Sequence, residues 1–292
     1  MQPALFADGQ LITRAPDGAT AIAPGDREAY FMRGSDSGWT IMVARRHGSR
    51  WSPPLPATFS GRWRDLDPAI APDGKTLVFA SNRPLSAGAL ALDAVYRGQT
   101  RTAQGMNLWW VKQTNDGWSA PERLPERINS CSMTFAPSLA RNGDLYYIGC
   151  NSAGSALILM RAPRIEDAYG VPDAVLIGGA GVTVRDPAIA PDQDFIVVST
   201  KSPGVDSLRL AIAFRVGNAW GPLTDLGDEV NAGTHAMGAQ LASDGTTLLF
   251  YSDRQLPARW TKRSEPGVDH GWRVSLLPLL NRDRSPMQRP YR

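Results

Sequence analysis

The sequence predicts an all-β fold, a single five-bladed β-propeller with four antiparallel strands in each blade. Three observations support this prediction: a hairpin pattern that occurs five times, an aromatic residue that follows each hairpin, and a composition rich in turn residues. With 28 Gly and 23 Pro among 292 residues, the chain favours many short strands joined by tight turns. No stretch keeps an apolar period of 3.6 residues beyond two turns, so long helices are not expected.

The hairpin pattern consists of a turn segment followed by an apolar strand. Asp-Gly or Asn-Gly between two apolar runs is a strong hairpin signal, because Gly and Asn tolerate positive φ angles. Three copies have such a turn, whereas Gly25-Asp26 and Asp192-Gln193 replace it in the other two. The five turn segments are residues 21–26, 69–74, 138–143, 188–193 and 240–245. A unit of about fifty residues repeated in this way is typical of a propeller, which leaves few exposed sheet edges.

An aromatic residue follows each hairpin, and we expect each ring to pack between neighbouring blades. These residues are Trp51, Trp118, Tyr169, Trp220 and Trp272, which are 67, 51, 51 and 52 residues apart. The first spacing is longer because residues 84–106 are inserted between the second and third strands of blade 2. Long loops in compact folds are often functional, so this insertion is a candidate lid or docking loop. The alternative is a passive surface excursion.

Two segments carry a resemblance to a known family. Residues 67–83, which read Asp-Pro-Ala-Ile-Ala-Pro-Asp-Gly-Lys-Thr-Leu-Val-Phe-Ala-Ser-Asn-Arg, resemble the TolB-type, WD40-like propeller repeat. Residues 241–254, which end in Tyr-Ser-Asp-Arg, are a second good copy, and the matches cover most of residues 15–275. The resemblance implies the propeller fold. It leaves the function open, because propellers of this type serve as partner-binding modules, solute-binding proteins and enzymes.

The repeats define one propeller domain, residues 1–281, followed by a polar, Pro-containing tail, residues 282–292. Residues 3–13 resemble the outer-strand segment 222–234 and would complete the last blade, although residues 273–277 are an alternative for the same position. We expect both ends of the chain to meet at the last blade.

Composition excludes several classes of function. The net charge is +3, and Lys and Arg are scattered without a basic run, so no nucleic-acid partner is expected. No apolar run approaches the ~20 residues that a membrane-spanning helix needs. Nucleophile-elbow, phosphate-loop and dinucleotide motifs do not occur, so no cofactor is expected. We expect a monomer.

The leading hypothesis is a ligand- or partner-binding propeller of the bacterial cell envelope. Its site would lie on the face formed by the loops that lead into the inner strands and the loops that join the second and third strands, because loops on a rigid scaffold carry most sites. The ligand would be a small molecule, a saccharide or an envelope protein, with Arg binding carboxylate or hydroxyl groups and Asp65 orienting the ligand. The predicted ligand-binding residues are Arg64, Asp65, Arg185, Asp186, His235, Tyr96 and Arg97.

The alternative is a carbohydrate-active enzyme, a glycoside hydrolase or lyase, with Asp65, Asp186 and His235 as candidate catalytic residues. Two carboxylates about 5–9 Å apart suit glycoside hydrolysis, and a His serves as a general base. However, Asp67 and Asp186 each precede a Pro at one repeat position, where a carboxylate accepts backbone hydrogen bonds and fixes the turn. No Glu occupies these loops, which weakens the enzyme hypothesis. A third possibility is a structural interaction module with a broad apolar patch.

A metal site built from histidines is not expected, because the repeat places His47 and His270 near the blade peripheries and leaves His235 alone on the site face. Calcium bound by carbonyl groups and Asp65 or Asp186 stays open, but no Asp-rich calcium loop is present.

Cys131 and Cys150 are the only cysteines. The hairpin pattern places Cys131 before the inner strand of blade 3 and Cys150 at the end of its partner strand, so we predict a disulfide between them. A disulfide favours a periplasmic or secreted location, whereas two free thiols would allow a cytoplasmic one. The first residues lack a basic segment followed by an apolar stretch, which fits either a cytoplasmic protein or one that has lost its signal peptide.

Overall fold

The computed structural model describes residues 1–36 and 38–283. It confirms the five-bladed β-propeller: five antiparallel sheets follow one another along the chain. Their innermost strands contact one another in a closed cycle, so that the first blade touches the fifth. Because each sheet buries both faces against its neighbours, the strands need apolar residues on both sides. The repeats provide these residues.

The strands occur in the order that the repeat predicts. Blade 1 contains β2 (Asp17–Ile22), β3 (Glu28–Ser35), β4 (Gly38–His47), β5 (Arg50–Trp51) and β6 (Leu55–Pro56), and it is preceded by β1 (Ala4–Leu5). Blade 2 contains β7 (Asp65–Ile70), β8 (Thr76–Ser81), β11 (Asn107–Thr114), β12 (Gly117–Trp118) and β13 (Glu122–Arg123), with β9 (Ala94–Tyr96) and β10 (Gln99–Arg101) in its insertion.

The other three blades follow the same order. Blade 3 contains β14 (Phe135–Leu139), β15 (Leu145–Cys150), β16 (Leu157–Ala162), β17 (Arg164–Ile165), β18 (Ala168–Tyr169) and β19 (Asp173–Ala174). Blade 4 contains β20 (Thr183–Ile189), β21 (Phe195–Lys201), β22 (Arg209–Val216), β23 (Ala219–Trp220) and β24 (Thr224–Asp225). Blade 5 contains β25 (Ala236–Leu241), β26 (Thr247–Ser252) and β27 (His270–Ser275).

Both chain ends meet at blade 5, as the sequence predicts. Strand β1 pairs antiparallel with β27, with Ala4 opposite Arg273 and Leu5 opposite Trp272. The N-terminal segment therefore supplies the fourth strand and the C-terminal segment supplies the third. A short helix, α1 (Leu277–Asp283), follows β27. Of the predicted tail, residues 282 and 283 belong to this helix, and residues 284–292 lie outside the described part of the chain.

The aromatic residues occupy the predicted inter-blade position in the first four blades. Trp118 of blade 2 donates its Nε1–H to the Tyr30 hydroxyl of blade 1 at 2.8 Å, and Tyr169 of blade 3 lies 6.3 Å from Trp110 of blade 2. The assignment of Trp272 to the same position is wrong, because this residue lies in the third strand, β27. The loop between β26 and β27 spans residues 253–269 and delays the third strand, so Trp272 arrives at the expected spacing in a different strand.

Candidate functional site

The central channel is narrow at the end where the β-hairpin turns converge. One apolar residue from each blade lines that end, and the cavity there is only about 40 Å³. This volume holds about three water molecules. These residues are Ile22, Ile70, Leu139, Ile189 and Leu241. This end leaves little room for a ligand, so the opposite face, which carries the insertion, is the better candidate for a site.

Towards the opposite end, each inner strand contains a β-bulge. The bulges of blades 2 and 4 place Asp67 and Asp186 at positive φ angles of 51° and 47°. Asp67 Oδ2 accepts the backbone N–H of Ala136 at 3.1 Å, and Asp186 Oδ2 accepts that of Gly238 at 3.3 Å. Each carboxylate thus joins its blade to the bulge of the next one. Such hydrogen bonds are what the turn-fixing role of these aspartates requires.

The two aspartates also face charged and polar neighbours across the channel. Burial and the nearby Asp186 raise the pKa of Asp67 to about 7, although Arg185 and Arg64 act in the opposite direction. Burial lowers the pKa of Arg64, against the effect of Asp67. Tyr251 belongs to the same group: burial, followed by the charges of Asp186 and Asp67, raises its pKa well above the usual range. The structure thus brings Arg64, Arg185 and Asp186 together, and it adds Asp67 and Tyr251.

Arg185 is the cation of this group that also faces outwards. Its guanidinium lies 5.3 Å from the centre of the Phe135 ring, and its buried Nε has no hydrogen-bond partner among the described residues. A guanidinium that packs against an aromatic ring and has unused N–H donors is suited to binding a hydrogen-bond acceptor.

Tyr251 explains a glycine in the neighbouring bulge. Gly238 has a φ of 67°, and a Cβ atom added there would collide with the Tyr251 ring. Sequence reasoning missed Tyr251 because the residue at the equivalent position of blade 2 is the unremarkable Ala80, which the pairings Leu66–Ala80 and Met237–Tyr251 identify.

His235 belongs to a separate hydrogen-bonded chain in blade 5. Its Nε2 lies 2.7 Å from Asp269 Oδ1, and its Nδ1 lies 3.1 Å from the Thr234 hydroxyl. Thr234 in turn donates to Asp253 at 2.5 Å. Asp269 and Asp253 are the last and first residues of the 253–269 loop. The unusual length of this loop is the sequence feature that could have pointed to them. The His235 ring also packs edge-on against Tyr251, with centroids 6.3 Å apart, so the chain adjoins the channel group.

Asp65 lies elsewhere, inside blade 2. Its side chain is fully buried, and its carboxylate accepts hydrogen bonds from Ser60 and Ser81, each at 2.7 Å. Arg83 pairs with it at 3.3 Å. These contacts occupy the carboxylate within the blade, so the structure does not bring Asp65 together with the other predicted site residues.

The insertion contains a β-hairpin. Strands β9 and β10 pair with each other, and Arg97 and Gly98 form the turn with φ angles of 51° and 73°. The base of the hairpin is fixed where the Leu92 N–H donates to the Asn82 carbonyl at 2.8 Å. The Val95 N–H donates to the Ser132 hydroxyl of the next linker at 2.8 Å. The hairpin therefore leans towards blade 3.

Between this hairpin and blades 3 and 4 lies an open groove of about 630 Å³. Tyr96 and Arg97 form one side of the groove, and Arg185 lies on its lining together with Phe135. Three predicted ligand-binding residues therefore line a single concave surface that adjoins the channel group. The part they play in binding stays a prediction.

Cys131 and Cys150 are joined by a disulfide, with their Cα atoms 6.2 Å apart. The bond connects the linker before blade 3 to the end of β15, on the same face as the groove. It adds a covalent link beside the hydrogen bonds that hold the insertion.

The structure places His270 differently from the expectation. His47 is exposed at the end of β4, but His270 begins β27 and is only 1% exposed. Neither of its ring nitrogens has a hydrogen-bond partner among the described residues. Burial, with a smaller effect of Arg33, lowers the pKa of His270 to about 4, so the ring is neutral at physiological pH. In the described ranges, no three His, Cys, Asp or Glu residues are grouped to hold a metal ion.

The fold is a five-bladed β-propeller, and it is similar to several solved structures. A putative TolB from Agrobacterium tumefaciens superimposes with a TM-score of 0.51 at 12% identity, covering 88% of this chain and 73% of that one. A GH43_1 enzyme from Xanthomonas citri gives 0.53 at 12% identity, covering 91% and 89%. A glucose dehydrogenase gives 0.51 at 10% identity, covering 94% and 99%. At these identities the likenesses establish the fold alone.

No family model matches the sequence, and no curated protein matches it either. Within the described residues, the model has no helix with the length and apolar character needed to cross a membrane.

Proposed function

We propose that this protein is a ligand- or partner-binding propeller of the bacterial cell envelope, which binds on the face that carries the 84–106 insertion. The observation that carries the proposal is the groove beside the insertion hairpin, which Tyr96, Arg97 and Arg185 line together. The narrow opposite end of the channel supports binding from this face. The Cys131–Cys150 disulfide supports a periplasmic or extracellular location.

The proposal is tested by shortening the hairpin. Residues 95–100 are replaced by Gly-Gly, which keeps the anchored base of the insertion. Wild type and variant are then screened by thermal shift with defined probes: neutral and uronic oligosaccharides, and acidic and basic peptides. We expect at least one probe to stabilise the wild type and not the variant, while the melting temperature without probe changes by less than about 3 °C. Equal stabilisation of both proteins by every probe that binds would overturn the proposal.

A second candidate function is cleavage of a saccharide, either by hydrolysis or by the elimination reaction of a lyase. The raised pKa of Asp67 favours it, since a carboxyl group that keeps its proton near neutral pH can serve as a general acid. The backbone hydrogen bonds of the Asp67 and Asp186 side chains count against it, because they occupy one oxygen of each carboxyl group. Product formation from the same oligosaccharides that is lost in both Asp67→Asn and Asp186→Asn would establish this candidate.

A further inference from the structure

The third strands of blades 2 and 4 have covered outer edges. In blade 2, Asn129 accepts the Leu108 N–H at 2.7 Å and donates to the Leu108 carbonyl at 3.0 Å. In blade 4, Asn231 makes the same two bonds to Leu210 at 2.7 and 3.1 Å. The residue before each Asn is apolar and completely buried, Ile128 in blade 2 and Val230 in blade 4. We call the buried apolar residue the plug and the Asn that follows it the cap.

Blade 3 lacks the plug and cap. The Val175 N–H donates to the Leu159 carbonyl at 2.9 Å. The equivalent bonds run from Leu124 to Leu108 in blade 2 and from Leu226 to Leu210 in blade 4, and they align the three linkers. Counting forward from Val175, the plug position is Gly179 and the cap position is Ala180. Neither side chain can fill space or accept a hydrogen bond. As a result, the Leu159 N–H has no hydrogen-bond partner among the described residues.

The open edge of β16 also includes Leu157, two residues before Leu159 on the strand. In blade 2, Met106 donates its N–H to Ser132 and accepts the N–H of Thr134, at 2.7 and 2.9 Å. The equivalent residue in blade 3 is Leu157, which lies on the same side of the strand as Leu159. Its outward N–H and carbonyl have no partner in the described part of the chain. Unpaired strand groups of this kind are a template for adding another strand.

The groove beside the insertion occupies this uncovered space. Its lining includes Leu157, Leu159 and Val175, together with the two arginines at positions 97 and 185. No Asp or Glu is among the lining residues. A ligand that fits must therefore present backbone groups to a strand edge, an apolar side chain to the plug space, and negative charge to the arginines.

We propose that the groove binds an extended acidic segment of a partner protein, which adds as a strand to the outer edge of β16. This inference rests on the proposed function and specifies its ligand. The segment's carbonyl accepts the Leu159 N–H in place of the missing Asn, and an apolar side chain occupies the space of the missing Val or Ile. Main-chain hydrogen bonds supply affinity and alternate side chains supply specificity in this mode of recognition. A saccharide has no regular row of groups to match the strand edge.

The experiment uses a fluorescein-labelled peptide, Ser-Glu-Val-Glu-Val-Glu-Ser, and its counterpart with Lys for each Glu. Fluorescence anisotropy with the full chain measures binding. We expect the acidic peptide to bind at least about tenfold more tightly than the basic one, with an affinity that falls as salt rises.

Position 179 provides a matched pair of variants. Gly179 has an ordinary φ, and a Cβ added there would have no atom within 4 Å, so a side chain is tolerated. Both Gly179→Glu and Gly179→Lys fill part of the plug space, but only Glu adds charge of the same sign as the peptide, so Gly179→Glu should weaken the acidic peptide about tenfold more than Gly179→Lys does. As an independent test, residues 176–180 are replaced by the blade 4 sequence Gly-Asp-Glu-Val-Asn, which restores the plug and cap and should abolish binding. If this graft does not fold, the difference in peptide affinity between the two Gly179 variants decides the test.

Equal binding of the two peptides, or equal effects of the two Gly179 variants, would overturn the inference. So would wild-type affinity in a folded graft. If the acidic peptide does not bind at millimolar concentration, the inference fails. The proposed function still stands in that case if another probe shows hairpin-dependent stabilisation, and it fails as well if none does.

Discussion

The carboxylate of Asp67 accepts a hydrogen bond from the backbone N–H of Ala136 at 3.1 Å, and this bond joins the bulged inner strands of blades 2 and 3. The same carboxyl group has a pKa raised to about 7 by burial and by Asp186. One side chain therefore links the packing of two blades to the charge at the mouth of the channel.

Asp67→Asn should change how stability depends on pH. The carboxyl group ionises near 3.8 in the unfolded chain and near 7 in the folded one, so the folded state holds the proton between these values. The contribution of Asp67 to the free energy of unfolding therefore falls as the pH rises from about 4 to about 7. Asn keeps an oxygen for the Ala136 N–H but cannot ionise. At pH 8 we expect the variant to be more stable by on the order of 2 kcal/mol in urea unfolding.

The matched control for this prediction is Asp116→Asn, at an exposed position in a surface turn. It should keep the wild-type dependence of unfolding on pH. If Asp67→Asn loses as much stability between pH 4 and pH 8 as the wild type does, Asp67 is not the group responsible.

Asp65→Ala should destabilise the protein without altering its ligand binding. The substitution leaves Arg83, only 8% exposed, with an uncompensated charge beside the Asp65 site. Removing one partner of a buried ion pair costs about 3–5 kcal/mol. Urea unfolding measures the loss. As a control, Asp228→Ala removes an almost fully exposed partner of Arg209 and should cost less than about 1 kcal/mol. A folded Asp65→Ala protein with much weaker probe binding would return Asp65 to the ligand site.

Leu5→Ala should show that the N-terminal strand closes the ring. Leu5 is 5% exposed, pairs with Trp272 and packs in the apolar cluster of blades 4 and 5. Truncating a buried Leu costs about 2–5 kcal/mol because a cavity remains. Leu277→Ala, at a position that is 47% exposed, is the control and should cost less than about 1 kcal/mol. Equal losses in thermal or urea unfolding would mean that β1 contributes little to closure.

The fold was predictable from the sequence because it depends on what repeats. The Ala-Ile-Ala-Pro-Asp-Gly pattern encodes strand, turn and strand locally, and five copies leave few alternatives to a ring. Trp272 shows the limit of counting: its spacing is regular only because a long loop and a missing outer hairpin compensate.

The site was less predictable because it depends on which way side chains point. Asp65 and Asp67 are two residues apart, yet one is enclosed within blade 2 and the other reaches the bulge of the next blade. Spacing alone does not show this, because a bulge interrupts the alternation of the strand between Leu66 and Ala69. The sequence does record the open edge of blade 3, as Gly-Ala where the linkers of blades 2 and 4 have Ile-Asn and Val-Asn. Only the hydrogen bonds of Asn129 and Asn231 reveal what that difference removes.

Titration of thiols with a chromogenic reagent tests the disulfide and the location that it supports. In denaturant without reductant we expect no free thiol, and two after reduction, because Cys131 and Cys150 are bonded and are the only cysteines. The two residues are 19 positions apart, and closing a loop of about this length stabilises a protein by about 3 kcal/mol. The Cys131→Ser/Cys150→Ser variant should lose a similar amount in urea unfolding. Two free thiols in protein isolated without reductant would contradict both the bond and an oxidising compartment.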